Sequence, residues 1–90
     1  MNERSNQRHP CKCCGYYTFV GTQEDIAWDI CPVCFWENDV FGTDIHTYSG
    51  ANHMTLAQGQ ENYRQCGACD PKMLSHVRPP APEELPENNR

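Results

Sequence analysis

The stretch that decides the fold begins with CKCCGY at residues 11–16 and ends with CPVCFW at residues 31–36. Each half contains a Cys-x-x-Cys step, a tight turn that directs both of its sulfur atoms to one point. Two such steps at this interval are typical of a metal site in which sulfurs form a tetrahedron at about 2.3 Å from the ion. We therefore predict that one metal ion is bound by Cys11, Cys14, Cys31 and Cys34.

The donor set indicates zinc in a structural role. With sulfur at all the predicted positions, no coordination position is left for water or substrate, as it would be in a catalytic zinc site. Iron is the alternative metal because tetrahedral sulfur sites accept either ion, and iron would indicate electron transfer of the rubredoxin kind.

Two strands are predicted between the cysteine pairs. Residues 16–20 (YYTFV) are aromatic and β-branched, and residues 26–30 (IAWDI) alternate apolar and other side chains. We expect them to pair as a hairpin with Ile26, Trp28 and Ile30 on its buried face. The predicted fold is a small metal-stabilised α+β domain: a zinc-ribbon or rubredoxin-like hairpin with two cysteine knuckles, followed by one or two short helices.

The helices follow from capping signals in the second half of the chain. Thr55, with Gln58 three residues on, predicts a helix start, and the helix should run to about residue 65 before Gly67 ends it. Gly59 weakens this helix but allows another element to approach closely. Asp70 and Pro71 predict the start of a second, short helix that carries Met73, Leu74 and Val77 inward.

Both ends of the chain are predicted to be tails. Residues 1–9 are polar without periodicity, and residues 79–90 combine prolines with acidic residues, which disfavours a packed element. We therefore predict a disordered tail over 1–9, a cysteine-rich domain over 10–78, and a disordered, extended tail over 79–90.

Charge and cysteine content restrict the possible functions. The formal net charge is −5, and no Lys or Arg lies between Lys12 and Arg64, so a basic patch for nucleic acid is not expected. No stretch is apolar enough for a membrane span or a signal peptide. Seven cysteines without a leader indicate a reduced, cytoplasmic protein that binds metal. The acidic residues either solvate the domain or form a face for a basic protein partner.

Three cysteines remain outside the predicted metal site. Cys13 lies inside the first knuckle, where we expect its side chain to point away from the metal; the alternative is that it replaces a neighbouring cysteine as ligand, at the loss of the two-residue spacing. Cys66 and Cys69 form a third Cys-x-x-Cys step, whose alternatives are small buried residues, a redox dithiol, or half of a second site with Cys13 and His46 or His53. Burial is the favoured interpretation.

The sequence shows no catalytic constellation. The histidines at 9, 46, 53 and 76 lack ligand-like spacing, and neither a nucleophile elbow nor a glycine-rich phosphate loop for a cofactor is present. We therefore predict no catalytic residues. An enzyme that uses the loop 40–53, where Asp44 and His46 are close in sequence, is a remaining alternative.

Several segments resemble the bacterial cysteine-rich CPCC family: CKCCGYY, ICPVCFWE, SGANHMTL, ENY, GACD and VRPP, which span about residues 11–80. Lys12 replaces the proline for which the family is named, and proline supplies only stiffness at that place. Cys69 matches the family's GAC segment, whereas Cys66 stands where an aromatic or aliphatic residue is more usual. The resemblance implies a small zinc-ribbon-like bacterial domain, and it implies no particular activity.

From these observations we expect a zinc protein with a structural four-cysteine site that presents an acidic, aromatic face to another protein. The alternatives are an iron electron-transfer protein and the small enzyme described above. The sequence leaves the oligomeric state open.

Overall fold

The computed structural model describes residues 7–41 and 44–89. Two antiparallel strand pairs and one main helix form a small α+β fold. Strand β1 (Arg8–His9) pairs with β2 (Phe19–Val20), and β3 (Tyr48–Ser49) pairs with β4 (Met54–Thr55). The helical elements are α1 (Gln23–Ile26), α2 (Leu56–Cys66) and three short 3-10 helices at Pro71–His76, Pro82–Glu84 and Pro86–Asn88.

The predicted hairpin between the two cysteine pairs is wrong. Strand β2 pairs with β1, which precedes the first knuckle, and not with residues 26–30. In this antiparallel pair Arg8 lies opposite Val20 and His9 opposite Phe19. The second predicted strand is replaced by the helical turn α1, and beyond it Ile30 forms an isolated antiparallel bridge with Glu37. Each cysteine knuckle is therefore the turn of its own short antiparallel ladder. The first ladder is the β1–β2 pair, the second is the pair of segments bridged at Ile30 and Glu37, and together they bring the knuckles close to each other.

A local capping signal explains the helical turn at α1. Thr22 accepts a hydrogen bond from the Asp25 backbone N–H at 3.2 Å, and the Asp25 carboxylate accepts one from the Thr22 N–H at 2.9 Å. This reciprocal capping box satisfies two backbone donors that a strand would have paired across a sheet. Of the expected buried face, Ile26 is buried, whereas Trp28 and Ile30 are 39% and 47% exposed.

The prediction for the main helix is confirmed. Thr55 caps α2 by accepting from the Gln58 N–H, and Gly67 ends it in the left-handed conformation at φ 92°. The second helix also begins as predicted, with Asp70 accepting from the Lys72 N–H and Pro71 in the first turn. It is a 3-10 helix that leaves Leu74 47% exposed, so the expected burial of Leu74 is wrong.

Gly59 lets α2 approach the second knuckle closely. Gly59 is buried, and a Cβ atom built on it would lie 2.9 Å from Cζ3 and 3.0 Å from Cε3 of Trp36. Trp36 is itself only 4% exposed, so its ring has little room to move. The absence of a side chain at 59 is thus what allows the helix to pack on the indole.

We expect Gly59→Ala to destabilise the protein by up to about 2 kcal/mol. Alanine favours the helix by about 1 kcal/mol relative to glycine, but overpacking a filled core costs about 1–3 kcal/mol. Urea unfolding at a fixed metal concentration measures the difference. Gly50→Ala is the control, because no atom lies within 4 Å of the added Cβ there. If Gly59→Ala were as stable as Gly50→Ala, the close packing on Trp36 would be wrong.

The segment after Arg78 differs from the predicted extended tail. Pro82–Glu84 and Pro86–Asn88 are 3-10 helices, and Glu84 is only 5% exposed. The Arg78 guanidinium donates to both carboxylate oxygens of Glu84, at 2.9 and 2.8 Å, and the Glu84 carbonyl accepts from the Tyr17 N–H at 2.8 Å. The prediction missed this ion pair, which lowers the pKa of Glu84.

At the other end, Arg8 and His9 belong to β1, while residues 1–6 of the predicted tail lie outside the described residues. The division of the chain at residues 9–10 and 78–79 stays a prediction.

The loop 49–52 (SGAN) fastens the second ladder to the β3–β4 pair. The Asn52 side chain accepts from the Glu37 N–H at 2.8 Å and donates to the Glu37 carbonyl at 3.0 Å, as a neighbouring strand would. It also donates at 2.9 Å to Ser49, whose hydroxyl donates to Asp39 at 2.6 Å. These bonds fix the chain that leaves the second knuckle.

Candidate metal centre

The two knuckles have the same backbone hydrogen bonds. The Cys11 N–H donates to the Tyr16 carbonyl and the Gly15 N–H to the Cys11 carbonyl, both at 2.8 Å. In the second knuckle, the Cys31 N–H donates to the Trp36 carbonyl at 2.9 Å and the Phe35 N–H to the Cys31 carbonyl at 2.8 Å. Both turns therefore place their sulfurs on the same side.

The turn-back residue of each knuckle needs a positive φ, which is 85° at Gly15 and 72° at Phe35. This conformation suits glycine and costs other residues roughly 1–2 kcal/mol. At Phe35 this cost is offset by packing, because the side chain packs against the core and its ring centroid lies 5.4 Å from that of His76. The second knuckle is thus held partly by tertiary packing.

The structure brings the sulfurs of all the predicted ligands together. The Sγ atoms of Cys11, Cys14, Cys31 and Cys34 lie within 4.8 Å of one another. The Sγ–Sγ distance is 3.6 Å between Cys11 and Cys34 and 3.8 Å between Cys14 and Cys31. A tetrahedron with metal–sulfur bonds of about 2.3 Å has edges of about 3.8 Å, so the cluster has the size of a metal cage.

The thiols of the cluster influence one another's ionisation. Hydrogen bonds from Cys11 and the neighbouring thiols lower the pKa of Cys31, and the Thr18 hydroxyl adds a further donor at 3.1 Å from its sulfur. Hydrogen bonding with Cys11 and with Cys31, together with burial, raises the pKa of Cys14 and of Cys34. A first thiolate at Cys31 therefore opposes further ionisation, since the thiolates repel one another unless a cation lies between them.

The residues present thus fit a metal ion. Cys11, Cys31 and Cys34 are fully buried, Cys14 is partly exposed, and all are reduced. Backbone and hydroxyl donors reach the cluster as well, since the Val33 N–H lies 3.4 Å from the Cys31 sulfur. Such outer hydrogen bonds stabilise thiolate charge and orient the ligands.

The remaining cysteines lie outside the cluster. Cys13 is buried, and its sulfur would lie 3.4 Å from a Cβ at Gly59, on the side of the knuckle that faces α2. Cys69 is buried, its pKa is raised to about 12 by burial, and its N–H donates to the Cys34 carbonyl at 2.8 Å. Cys66 is partly exposed and contacts the Ala68 carbonyl. Among the described residues, the group of side chains close enough to share a metal ion consists of the predicted four cysteines. Cys13, Cys66 and Cys69 do not belong to it.

Sequence reasoning missed several residues that support the site. Thr18 and Asn52 were assigned no role, although one donates to a cluster sulfur and the other pairs with the backbone at Glu37. The T-x-x-D pattern at Thr22 was a visible signal for α1, because it is a capping-box sequence. For Thr18 and Asn52 no local signal exists, since their partners lie 13 and 15 residues away.

The histidines do not gather at the cluster. His9 bonds the Gly21 carbonyl through Nε2 at 2.8 Å, His76 packs against Phe35, and His46 and His53 are exposed. The Asp44 carboxylate accepts from the His46 backbone N–H at 2.7 Å. This bond is made by the backbone of His46 and stabilises the loop, and the His46 imidazole takes no part in it.

The fold and the cluster define a small α+β protein with a four-cysteine centre able to hold a metal ion. Comparison with protein families gives a match to the model described as cysteine-rich CPCC over residues 9–84. The chain belongs to this family, as its sequence motifs indicated, and the match extends to the buried Glu84. Comparisons with curated proteins and with solved structures found no match.

The helices of the described residues are all too short or too polar to cross a membrane.

Proposed function

We propose that Cys11, Cys14, Cys31 and Cys34 hold one structural zinc ion in a zinc-ribbon-like centre, and that the protein is a binding module for a basic protein partner. The observation that carries the metal proposal is the cage of sulfurs within 4.8 Å of one another. Since each ligand is a protein sulfur, zinc bound there has no open position for substrate. Its role is to hold the two knuckles together.

Metal analysis of the purified protein tests this proposal. We expect one zinc per chain and a colourless solution, since zinc has a filled d shell. A red protein with one iron per chain would overturn the zinc assignment in favour of electron transfer. The proposal places the protein in a reducing compartment such as the cytoplasm, where the thiols stay available to the metal.

The proposed binding face is the Trp28–Phe41 patch, defined as Trp28, Val40 and Phe41. The Trp28 and Phe41 rings contact each other edge to face, with centroids 5.3 Å apart. Val40 and Phe41 are 50% and 80% exposed. Trp28 adopts φ 65°, a conformation that L residues rarely adopt, and its N–H donates to the Asn38 carbonyl. Residues held in strained backbone conformations cluster at functional sites.

Acidic residues surround the Trp28–Phe41 patch. Asp29 follows Trp28 directly, and the Asp39 carboxylate accepts from the Phe41 N–H at 2.9 Å. No Lys or Arg occurs between Lys12 and Arg64, so cationic side chains of the same segment do not neutralise these charges. An apolar patch with an acidic rim complements a partner that presents apolar side chains beside Lys or Arg.

We expect Phe41→Ser to abolish capture of this partner while the protein remains folded. Phe41 is 80% exposed, so its loss removes contact area from the complex and almost none from the core. The measurement compares proteins captured by the wild type and the variant and determines their isoelectric points. Leu74→Ser is the matched control, because Leu74 is also exposed but lies on the 3-10 helix Pro71–His76.

The captured protein should be basic and should dissociate as ionic strength rises above about 0.15 M, where the Debye length falls below about 8 Å. Equal loss of capture with Phe41→Ser and Leu74→Ser, or capture that salt does not weaken, would contradict the proposed face.

A further inference from the structure

A cavity of about 190 Å³ lies beside Trp36, between the chain that leaves the second knuckle, the loop before β3 and the start of α2. Its apolar wall consists of Trp36, Ile45 and Leu56, and its polar rim includes Asp39, Asp44 and Lys12. At about 30 Å³ per water molecule, this space corresponds to roughly six waters. It therefore suits a small molecule or a single side chain.

Hydrogen bonds between distant segments hold the walls of this cavity in place. The Asp39 carboxylate accepts from the buried Ser49 hydroxyl at 2.6 Å, which joins the second ladder to β3. The Ala57 N–H donates to the Ile45 carbonyl at 2.8 Å, which joins the loop to the first turn of α2. The cavity is thus formed before any ligand arrives, which lowers the entropic cost of binding.

The charges at the rim favour a cation. The cavity lining contains two carboxylates, those of Asp39 and Asp44, and one ammonium group, that of Lys12. Among the described residues the ion pairs are Arg64–Glu61 and Arg78–Glu84, and neither contributes to this rim. A ligand that carries a positive charge on a short apolar stem matches both the carboxylates and the apolar wall.

We propose that this cavity binds a primary alkylammonium group, with the charge at Asp39 and Asp44 and the alkyl stem against Trp36 and Leu56. The group could come from a free amine or from a lysine side chain of another protein. The proposal shares Asp39 with the acidic surround of the Trp28–Phe41 patch, but it is tested at Trp36 and Asp44, which do not belong to that patch, so failure of one proposal is distinguishable from failure of the other.

The test is a titration of the zinc-loaded protein with n-butylamine at constant pH and ionic strength, followed by NMR. We expect the indole N–H signal of Trp36 to shift and saturate, with a dissociation constant on the order of 1 mM for so small a ligand. Trp28 does not line the cavity and serves as an internal reference. No saturable shift at Trp36, or equal shifts of both indoles, would overturn the proposal.

Two variants with the same change in net charge separate a site from general acidity. Asp44→Asn removes a rim charge but keeps an oxygen to accept from the His46 N–H, and we expect binding to weaken about tenfold. Glu24→Gln removes an exposed charge outside the cavity lining and should change the affinity less than about twofold. Equal weakening by both variants would overturn the proposal.

Lys12→Met tests the arrangement of charges in the cavity. Removing the ammonium of Lys12 removes repulsion of an alkylammonium, so n-butylamine should bind more tightly, whereas weaker binding would overturn the proposed arrangement of charges.

A parallel titration with Nα-acetyl-lysine N-methylamide identifies the source of the ligand. Binding equal to that of n-butylamine supports a lysine side chain, and binding of n-butylamine alone supports a free amine.

Discussion

Cys31→Ser is expected to unfold the protein and to remove its metal. The Cys31 sulfur accepts from Thr18 and from the Val33 N–H and lies 3.8 Å from the Cys14 sulfur, so it is the most connected member of the cluster. Structural zinc contributes about 10–16 kcal/mol to the folding of small domains. A domain of this kind is stable by only about 5–15 kcal/mol in total. Losing a ligand therefore removes most of the net stability.

Circular dichroism and metal content of the purified variant measure this effect. Cys66→Ser is the matched control, because it makes the same chemical change at a partly exposed cysteine that only contacts the Ala68 carbonyl. We expect the control to keep its fold and its zinc. A folded, zinc-loaded Cys31→Ser protein would show that the proposed ligand set is wrong.

Asn52→Ala is expected to cost about 3 kcal/mol. The Asn52 side chain makes three hydrogen bonds, two with the Glu37 backbone and one with Ser49, and each contributes about 1 kcal/mol. Ser49 is only 5% exposed, so its hydroxyl also loses a partner away from water. The change acts on the chain that leaves the second knuckle, and it should weaken zinc affinity as well as stability.

Urea unfolding at fixed zinc concentration, together with a competition assay against a chelator, separates these two effects. Asn88→Ala provides the comparison, since the exposed Asn88 side chain donates only to the Pro82 carbonyl and its loss should change stability by about 0.5 kcal/mol or less. If both variants unfolded at the same urea concentration, the Asn52 hydrogen bonds would not stabilise the second ladder as the structure indicates.

Together these expectations describe a protein whose stability depends on one centre and on the contacts that hold it. Among the described residues, the largest fully buried side chains are those of Val33, Cys11, Cys31 and Cys34. Small domains with limited cores commonly depend on a metal in this way. The proposed binding face therefore depends on the proposed metal ion through the stability of the fold.

The tertiary structure decided how the knuckles are joined. Residues 16–20 and 26–30 have strand-like composition, but Phe19–Val20 pairs with Arg8–His9 and α1 takes up residues 23–26. Strand composition shows that a segment can pair and does not specify its partner, because the backbone hydrogen bonds are the same for any register. The actual partner of Phe19–Val20 lies before the first cysteine, outside the stretch between the two knuckles.

The C-terminal segment illustrates the same limit. Its prolines exclude regular strands and long helices, which is a local property, and the prediction of an extended tail followed from it. The tail is anchored by Glu84, which bonds Arg78 and the backbone of Tyr17. A single acidic residue among several in a polar segment carries no sign of this role, since its partner Tyr17 lies far away in the sequence.

By itself, the sequence determined the features whose causes lie within a few residues. The Cys-x-x-Cys steps place sulfurs in pairs, and Thr55 and Gly67 begin and end α2, because both effects act within one turn of the chain. Only the tertiary structure decided which ladders carry the knuckles, how Asn52 joins Glu37, and where the cavity beside Trp36 opens. Those features depend on backbone groups and surfaces that meet only after the chain has folded around its cysteines.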